Sequence, residues 1–560
     1  MNLPHSPVNW RHSHWNRFGI ALLLLWLIAL AVRLPSLSER PMHTDEAVQA
    51  DKAGVLWTNN KYRYDPEEYH GPSLYYLTLP VLWLSSAQNY AQTTENHYRL
   101  VPVLFGAGLV LLLLLTVDGL GPWASVWAGV LLSLSPMMVF YSRYYIQEML
   151  LVFLTYLFMA ACWRYTRGAP RIWIIIAGAA IGLMHATKET WVLSVAAMGT
   201  AFVLTILWSH WIDKTPLQWR AHWKPHLKAR GAGIGLLLAI ILMSSLGTNP
   251  RGPLDSVRAY AIYLNRGGGE GEGGSSGGSD SDHVHPSGYY VGRFLWTKYD
   301  YKRNEILFGD MIKDTTLLKK PSAGPAWSEA LIFFLAMCGF VAALMKRGIG
   351  RAHLSFVRFL AFYTIILAVI YEIIPYKTPW CALGFWHTAI LLAGFGAVAL
   401  VRSVKFMPVK VVVILFLAVA AFRLGQQCQR ANFGRFAADE RNPWVYSHTG
   451  VDIHNLRDRV ENIAQVAPHG DRMLIKVVTP DQWPLPWYLR RFKSVGYYTE
   501  TPKDLADGNP AIVISSQELQ EQVSPQIPGY KQEIFGQRPR VFLVGNIEPQ
   551  LWEAFVKTRR

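Results

Sequence analysis

Apolar runs long enough to cross a bilayer recur through most of this chain, and they constrain its fold more than any other feature. A membrane helix needs about 17–25 consecutive, mostly apolar residues. Such runs lie near residues 17–34, 98–117, 122–141, 145–162, 171–187, 190–209, 231–248, 327–345, 354–374, 380–400 and 407–424. The sequence therefore predicts a polytopic α-helical membrane protein of about 11 transmembrane helices. Residues 72–86 are apolar but short, and read as a helix lying at the surface. Ala29-Leu30-Ala31 resembles a signal-peptidase site, but Arg33 follows almost at once and the next loop needs this helix as its anchor.

Loop charges orient the bundle. With the N-terminus cytoplasmic, the basic clusters Arg164/Arg167/Arg171, Lys214/Arg220/Lys224/Lys228/Arg230, Lys346/Arg347/Arg351 and Arg402/Lys405/Lys410 all fall inside. The loops 35–97 and 249–326 and the tail after 424 then face outward, as in a multi-pass protein of the cell membrane. Only 16% of the residues are charged, whereas a soluble chain carries about a quarter. The net charge of +16 suits basic loops at anionic lipid headgroups. A nucleic-acid partner would need a basic patch on a soluble module, which the sequence lacks. Cys162, Cys338, Cys381 and Cys428 show no metal spacing, although the outward-facing Cys381 and Cys428 could pair.

Two domains are expected, a membrane part over 1–424 and an extracytoplasmic α/β domain over 425–560. In the second, 473–478, 511–514 and 541–544 read as buried strands, with helices near 450–466 and 516–523. Residues 481–490 follow the first strand and belong on a loop beside the sheet. Residues 267–282, rich in Gly, Ser, Asp and Glu, cannot repay their ordering entropy and read as a flexible segment, either a lid or an idle linker.

The chemistry-bearing residues gather at the outward helix ends. Asp45-Glu46 follows the first apolar run, and His70-Gly71-Pro72 closes the same loop. A carboxylate there can act as a general base, hold a divalent cation through oxygen ligands, or simply cap a helix. Glu148, about one turn into the membrane, needs a partner. That partner is either Arg143 or a substrate or metal. Lys188 and Lys377 stand on the outer side, opposite the basic loops; they are snorkelling anchors or, with Arg143, cations for a lipid phosphate. His283 and His285 are two imidazoles without a third ligand.

Taken together, these residues resemble the membrane-embedded GT-C glycosyltransferases, a superfamily that includes protein mannosyltransferases, oligosaccharyltransferases and the aminoarabinose transferase of lipid A. The resemblance rests on Asp45-Glu46 in the first external loop, the His70-Gly71-Pro72 lead-in, and His285-Pro286-x-x-Tyr289-Tyr290, which looks like a mobile-loop stretch. More narrowly, His43-x-Asp45-Glu46, Tyr64-Asp65-Pro66-x-x-Tyr69-His70-Gly71-Pro72 and Lys377-Thr378-Pro379-Trp380 look like a prokaryotic subfamily named for association with flippase activity in archaeal N-glycosylation gene clusters. The likeness is strongest over 33–80 and weaker in the tail.

The resemblance implies a polyprenyl-phosphate sugar donor, a protein, glycan or lipid acceptor and, in some members, Mg²⁺ or Mn²⁺. It implies that Asp45, with Glu46, activates the acceptor or orders the site. His70, Arg143, Lys188, Lys377, Tyr289 and Tyr290 are then expected to bind donor or lipid phosphate, and Asp45 and Glu148 to hold the metal. No clear Asp-x-Asp accompanies Glu148. The alternatives are a lipid-glycan flippase or transporter, and a non-catalytic accessory protein that binds lipid-linked sugar.

Overall fold

Each run expected to span the membrane is helical in the structure, a computed structural model that describes residues 14–66, 70–216, 225–267, 283–300, 305–308 and 325–559. Residues 268–282, nearly all of the Gly/Ser-rich stretch expected to be flexible, fall outside the described residues, as do Glu67, Glu68 and Tyr69. In chain order the helices of the membrane part begin with α1 (His14–Arg33), α2 (Thr44–Asn59), α3 (Ser73–Leu84) and α4 (Glu95–Leu112). Next come α5 (Pro122–Leu134), α6 (Pro136–Ser142), α7 (Gln147–Thr166), α8 (Ile172–His185) and α9 (Trp191–Trp211). They continue as α10 (Pro225–Met243), α11 (Gly252–Gly267), α12 (Tyr289–Leu295), α13 (Ala330–Leu344), α14 (Leu354–Ile373), α15 (Leu383–Ser403) and α16 (Met407–Asn432).

Among the described residues, 6 helices are both long and apolar enough to cross a membrane, and α5 with α6 passes as one span bent by 63°. The short apolar stretch at 72–86 forms α3, which buries Leu74, Tyr75 and Leu82 and leaves Trp83 and Leu84 exposed. Helix α16 runs eight residues past 424, through the expected domain boundary, to Asn432. Cys381 and Cys428, expected to be able to pair, are not disulfide-bonded.

The bend between α5 and α6 has a clear chemical basis. Pro136 offers no backbone N–H, so the helix must restart there. The Ser135 hydroxyl accepts from Met138 N at 3.3 Å. Glu329, just before α13, accepts from Met137 N at 2.9 Å and from the Ser135 hydroxyl at 2.6 Å. The freed backbone donors are thus satisfied inside protein, as a bilayer interior demands.

The first external loop is held by a buried ion pair. Glu46 and Arg99 are both buried, and Arg99 Nε and Nη2 donate to the two carboxylate oxygens at 2.7 and 2.6 Å. Glu46 also accepts from Tyr145 N at 2.9 Å and His43 N at 3.1 Å. The second of these closes a capping box at the start of α2. The rest of the Arg99 guanidinium donates to the carbonyls of Leu37, Arg40 and Pro41 at 2.6, 2.7 and 2.9 Å. One arginine of α4 therefore ties the connection after α1 to the first turn of α2.

Before α13, strands β1 (Thr297–Asp300), β2 (Glu305–Phe308) and β3 (Ala326–Trp327) form a small sheet in the order β2-β1-β3. The C-terminal domain holds β4 (Leu474–Val478), β5 (Ser494–Tyr498), β6 (Ile512–Ser516), β7 (Lys531–Arg538) and β8 (Val541–Ile547), a five-stranded sheet in the order β5-β4-β6-β8-β7. Strands β4, β5 and β6 are parallel, whereas β8 runs antiparallel to β6 and β7. Helices Ile453–Val466 and Pro549–Lys557 cover it. The expected strands are β4, β6 and β8. The two edge strands, β5 and β7, went unread because they carry few fully buried residues. The 481–490 segment docks on the first external loop. There the Tyr488 hydroxyl accepts from Met42 N at 2.9 Å and Trp487 Nε1 donates to Glu95 at 3.0 Å.

Burial alone would raise the Glu46 pKa, but Arg99, then Arg40 and the hydrogen bonds, hold it below the ordinary 4.5. Its folded value is below its unfolded one, so its stabilisation is complete above about pH 4.5 and is lost as the pH falls through the folded value. Arg99→Met, which leaves a buried carboxylate unpaired, is expected to cost about 3–5 kcal/mol. Thermal unfolding of the detergent-purified chain at pH 7 measures this. The difference between wild type and Arg99→Met should shrink at pH 4.

Candidate active site

Asp45 and Glu46 are neighbours in sequence with opposite surroundings. They are turned about 100° apart around α2. Glu46 has its acceptor positions filled by Arg99, Tyr145 N and His43 N. That is a structural carboxylate with no position left for an acceptor or a cation, contrary to the role expected for it. Asp45 keeps 45% of its side chain exposed, with Oδ2 3.9 Å from His43 Nδ1.

Aromatic rings and imidazoles drawn from distant segments form the wall beside Asp45. His43 packs edge-on against Tyr144 and Trp380 at 5.3 and 6.1 Å and lies 4.8 Å from His448. Tyr144 stacks on His448 at 5.2 Å and 22°. The Arg40 guanidinium lies 5.2 Å over Tyr144. Trp380 meets Tyr141, Tyr144 and Tyr446 at 6.1, 6.0 and 5.6 Å. Tyr141 lies on α6, aimed here by the bend, and its hydroxyl donates to Trp444 O at 2.8 Å. It is within electrostatic reach of Arg293, Tyr289, Arg40 and Glu148.

Three buried polar atoms in this wall, Arg40 Nε, Tyr144 Oη and His448 Nε2, have no hydrogen-bond partner. His43 Nε2 lies 3.2 Å from Tyr446 O, and Tyr446 N donates to His448 Nδ1 at 2.9 Å. Tyr446 O also lies 3.0 Å from His448 Nδ1, so Nδ1 has a partner in either tautomer and Nε2 is left to donate or to accept. Burial, then the charges of His43 and Arg40, holds the His448 pKa well below 6.5, so the ring is neutral.

The remaining expected residues fall into three groups. Glu148, expected at a metal, pairs with Lys188 rather than Arg143. Burial works against the Lys188 charge, but Glu148 more than offsets it and holds the ammonium above its ordinary pKa. Arg143, expected at a lipid phosphate, instead donates to the carbonyls of Arg33, Pro35 and Ser36 at 2.7, 2.6 and 3.1 Å, fastening the end of α1. Lys377 Nζ donates to His285 O and Ile374 O at 3.0 and 2.6 Å.

Lys377 thereby holds the 283–290 segment, which also bridges to Tyr376 through Val284. Tyr289 stacks on His285 at 4.3 Å, and the Tyr290 hydroxyl donates to Thr378 O at 3.1 Å. His283 Nδ1 lies 2.6 Å from the Tyr446 hydroxyl. His70 lies away from this wall by its bonds, with Nδ1 2.7 Å from Glu189 Oε2.

A divalent cation at Asp45 and Glu148 does not fit this arrangement. Glu148 is tied to Lys188, Glu46 is saturated, and among the described residues no three His, Cys, Asp or Glu gather to hold an ion. Sequence reasoning missed Arg40, Tyr141, Tyr144, Arg293, Tyr446 and His448 as members of the wall. Only the outward placement of Tyr141 and Tyr144 in the 141–148 turn carried a signal.

The chain is similar to known proteins in two stretches of its sequence and in its fold. Residues 23–242 match the dolichyl-phosphate-mannose-protein mannosyltransferase family, and residues 463–539 match the Agl23 flippase-associated protein C-terminal domain. No curated protein matches the chain in sequence. ArnT from Cupriavidus metallidurans, solved bound to undecaprenyl phosphate, is similar in fold with a TM-score of 0.58 and 15% identity, over 94% of this chain and 98% of that one. The Archaeoglobus fulgidus oligosaccharyltransferase, solved with a tethered acceptor peptide, gives 0.52 and 13%, over 96% of this chain and 76% of that one. At 13–15% identity the likeness to these two solved structures is one of fold.

Gly71 lets the His70 loop reach its seat. A Cβ there would overlap Ala186 O, where Ser73 N donates at 2.9 Å and the Ser73 and Thr187 hydroxyls lie 2.7 Å apart. Gly71→Ala is expected to separate His70 from Glu189 and to cost about 1–3 kcal/mol, the usual range for overpacking. Thermal unfolding reads the loss.

Proposed function

We propose that this protein transfers a sugar from a polyprenyl-phosphate donor to an acceptor at the outer face of the membrane, with inversion at the sugar carbon. The observation that carries this reading is the contrast at the start of α2: the Asp45 carboxylate is accessible, with the His43 imidazole 3.9 Å away and Arg538 within electrostatic reach, while Glu46 and Glu148 are bound to Arg99 and Lys188. The ArnT fold, solved with undecaprenyl phosphate, supports the donor class.

In this mechanism Asp45 takes the proton from the acceptor as its oxygen or nitrogen attacks the anomeric carbon. The bond from that carbon to the phosphate oxygen breaks, and polyprenyl phosphate leaves with the electron pair. Charge grows on the departing phosphate, and fixed positive groups are the strongest help for such a step. Lys377 and Arg293 supply them; Lys377 Nζ has three N–H bonds and gives two to carbonyls. Tyr144 Oη and His448 Nε2 bind sugar hydroxyls, which satisfies two buried polar atoms otherwise left without partners.

Asp45→Asn is expected to lower transfer by about 10²–10⁴-fold, the usual scale for losing a general base. It should leave the protein folded and able to bind lipid phosphate. The assay follows radiolabelled sugar from polyprenyl phosphate to acceptor in proteoliposomes. Full activity of Asp45→Asn removes Asp45 from the chemistry. Labelled lipid crossing the bilayer with its sugar still attached favours the flippase instead. Tyr144→Phe and His448→Ala should raise KM for the donor more than they lower kcat, and His448→Gln, which keeps an N–H, should recover part of the loss. Because His448 is neutral, its removal should leave the shape of the rate profile between pH 6 and 8 unchanged.

A further inference from the structure

The end of the bundle away from Asp45 holds a second constellation. Phe18 near the start of α1, the turn into α5 with Trp123, the loop at Ile349–Ala352, and Phe395 with Arg402 on α15 enclose a cavity of about 290 Å³. Helix α15 begins beside Trp380 and has 21 residues, so at 1.5 Å per residue Arg402 lies about 30 Å from the Asp45 wall. Neither donor nor acceptor at Asp45 reaches it.

The cavity is built by the backbone. Gly121 at φ 91° and Gly350 at φ 56° take left-handed turns at its two walls, and His353 N donates to Gly119 O at 2.8 Å, fastening one wall to the other. A Cβ on Gly350 would overlap the Arg402 guanidinium. Two guanidiniums, Arg351 and Arg402, line it with no carboxylate among the lining residues. Both are exposed at its mouth, and two such guanidiniums with no carboxylate beside them attract an anion; their planar fork suits phosphate.

The surface leading away from the cavity is apolar. Phe18 meets Trp123 edge-on at 5.3 Å, and Trp123 is 59% exposed. Beyond Phe18, Ile20, Leu23, Leu24, Leu27 and Ile28 are all exposed along one face of α1. From Phe18 to Ile28 that face runs about 15 Å, the depth of one leaflet of a hydrocarbon core about 30 Å thick.

We infer that this cavity binds one anionic diacyl phospholipid, with its phosphate between Arg351 and Arg402 and an acyl chain along the exposed face of α1. The volume lies near the lower end of small-ligand sites, about 300 Å³, which suits a headgroup with its chains outside. Polyprenyl phosphate and free phosphate share the anion but not the pair of acyl chains.

The test is native mass spectrometry of the full-length chain released from vesicles of phosphatidylcholine with 10% phosphatidylglycerol. Wild type is expected to retain one phosphatidylglycerol through detergent washing. Arg351→Lys/Arg402→Lys should retain it, and Arg351→Gln/Arg402→Gln should lose at least tenfold in occupancy while unfolding at the wild-type temperature. Equal retention by the Gln double variant overturns the proposal. So does displacement by millimolar inorganic phosphate, or preferential replacement by undecaprenyl phosphate. If the Gln variant fails to fold, Trp123→Ala, which removes the aromatic edge, must lower occupancy, and unchanged occupancy overturns the proposal equally.

Discussion

The Glu46–Arg99 pair is the constraint on which the outer face of this protein depends. A buried ion pair gives little net stability, because desolvating both charges offsets their attraction. It gives position instead. The pair and its attendant backbone bonds fix three things at once: the path of the chain after α1, the start of α2, and the turn at Tyr145. Asp45 is the residue just before Glu46 on that helix. Its aim is inherited from a neighbour whose own carboxylate is taken up by Arg99 and two backbone N–H groups.

The second dependence runs between the two domains. Met42, three residues before Asp45, is gripped on both sides by the segment after α16: its N–H by Tyr488 and its carbonyl by Thr449. His448 comes from that same segment and completes the aromatic wall. The Arg490 guanidinium lies 3.6 Å over Trp487, which packs edge-on to Tyr98 at 5.5 Å. The sheet is thus joined to the site through its loops and through Arg538 at the end of β7, which lies within electrostatic reach of Asp45 and His43.

The helices, the location of Asp45 and the three central strands were legible in the sequence, because hydrophobic period and length are local properties. The roles of the cations were not. Arg143, Lys188 and Lys377 look alike as outward-side charges, yet one holds carbonyls at the end of α1, one pairs with Glu148, and one pins the 283–290 segment. Most of their partners lie 40 to 110 residues away, and nothing local to the sequence separates a carbonyl from a phosphate. Arg99 and Glu329 were invisible for the same reason: each sits at a helix end, where a charge passes for a loop residue. His448 lies in a stretch between a span and a domain, where neither periodicity gives a reading.

The bend between α5 and α6 has one more consequence. Glu329 caps the restarted helix, follows β3 (Ala326–Trp327), and also accepts from Trp386 at 3.1 Å. Trp386 in turn stacks on Phe294 at 3.5 Å, just after the tyrosines that Lys377 keeps in place. Tyr141 therefore sits on a short helix whose first turn is capped by a carboxylate from just before α13, and that carboxylate also holds the tryptophan on which Phe294 stacks. One buried side chain, Glu329, thus anchors both the wall tyrosine and the segment that follows Tyr289 and Tyr290.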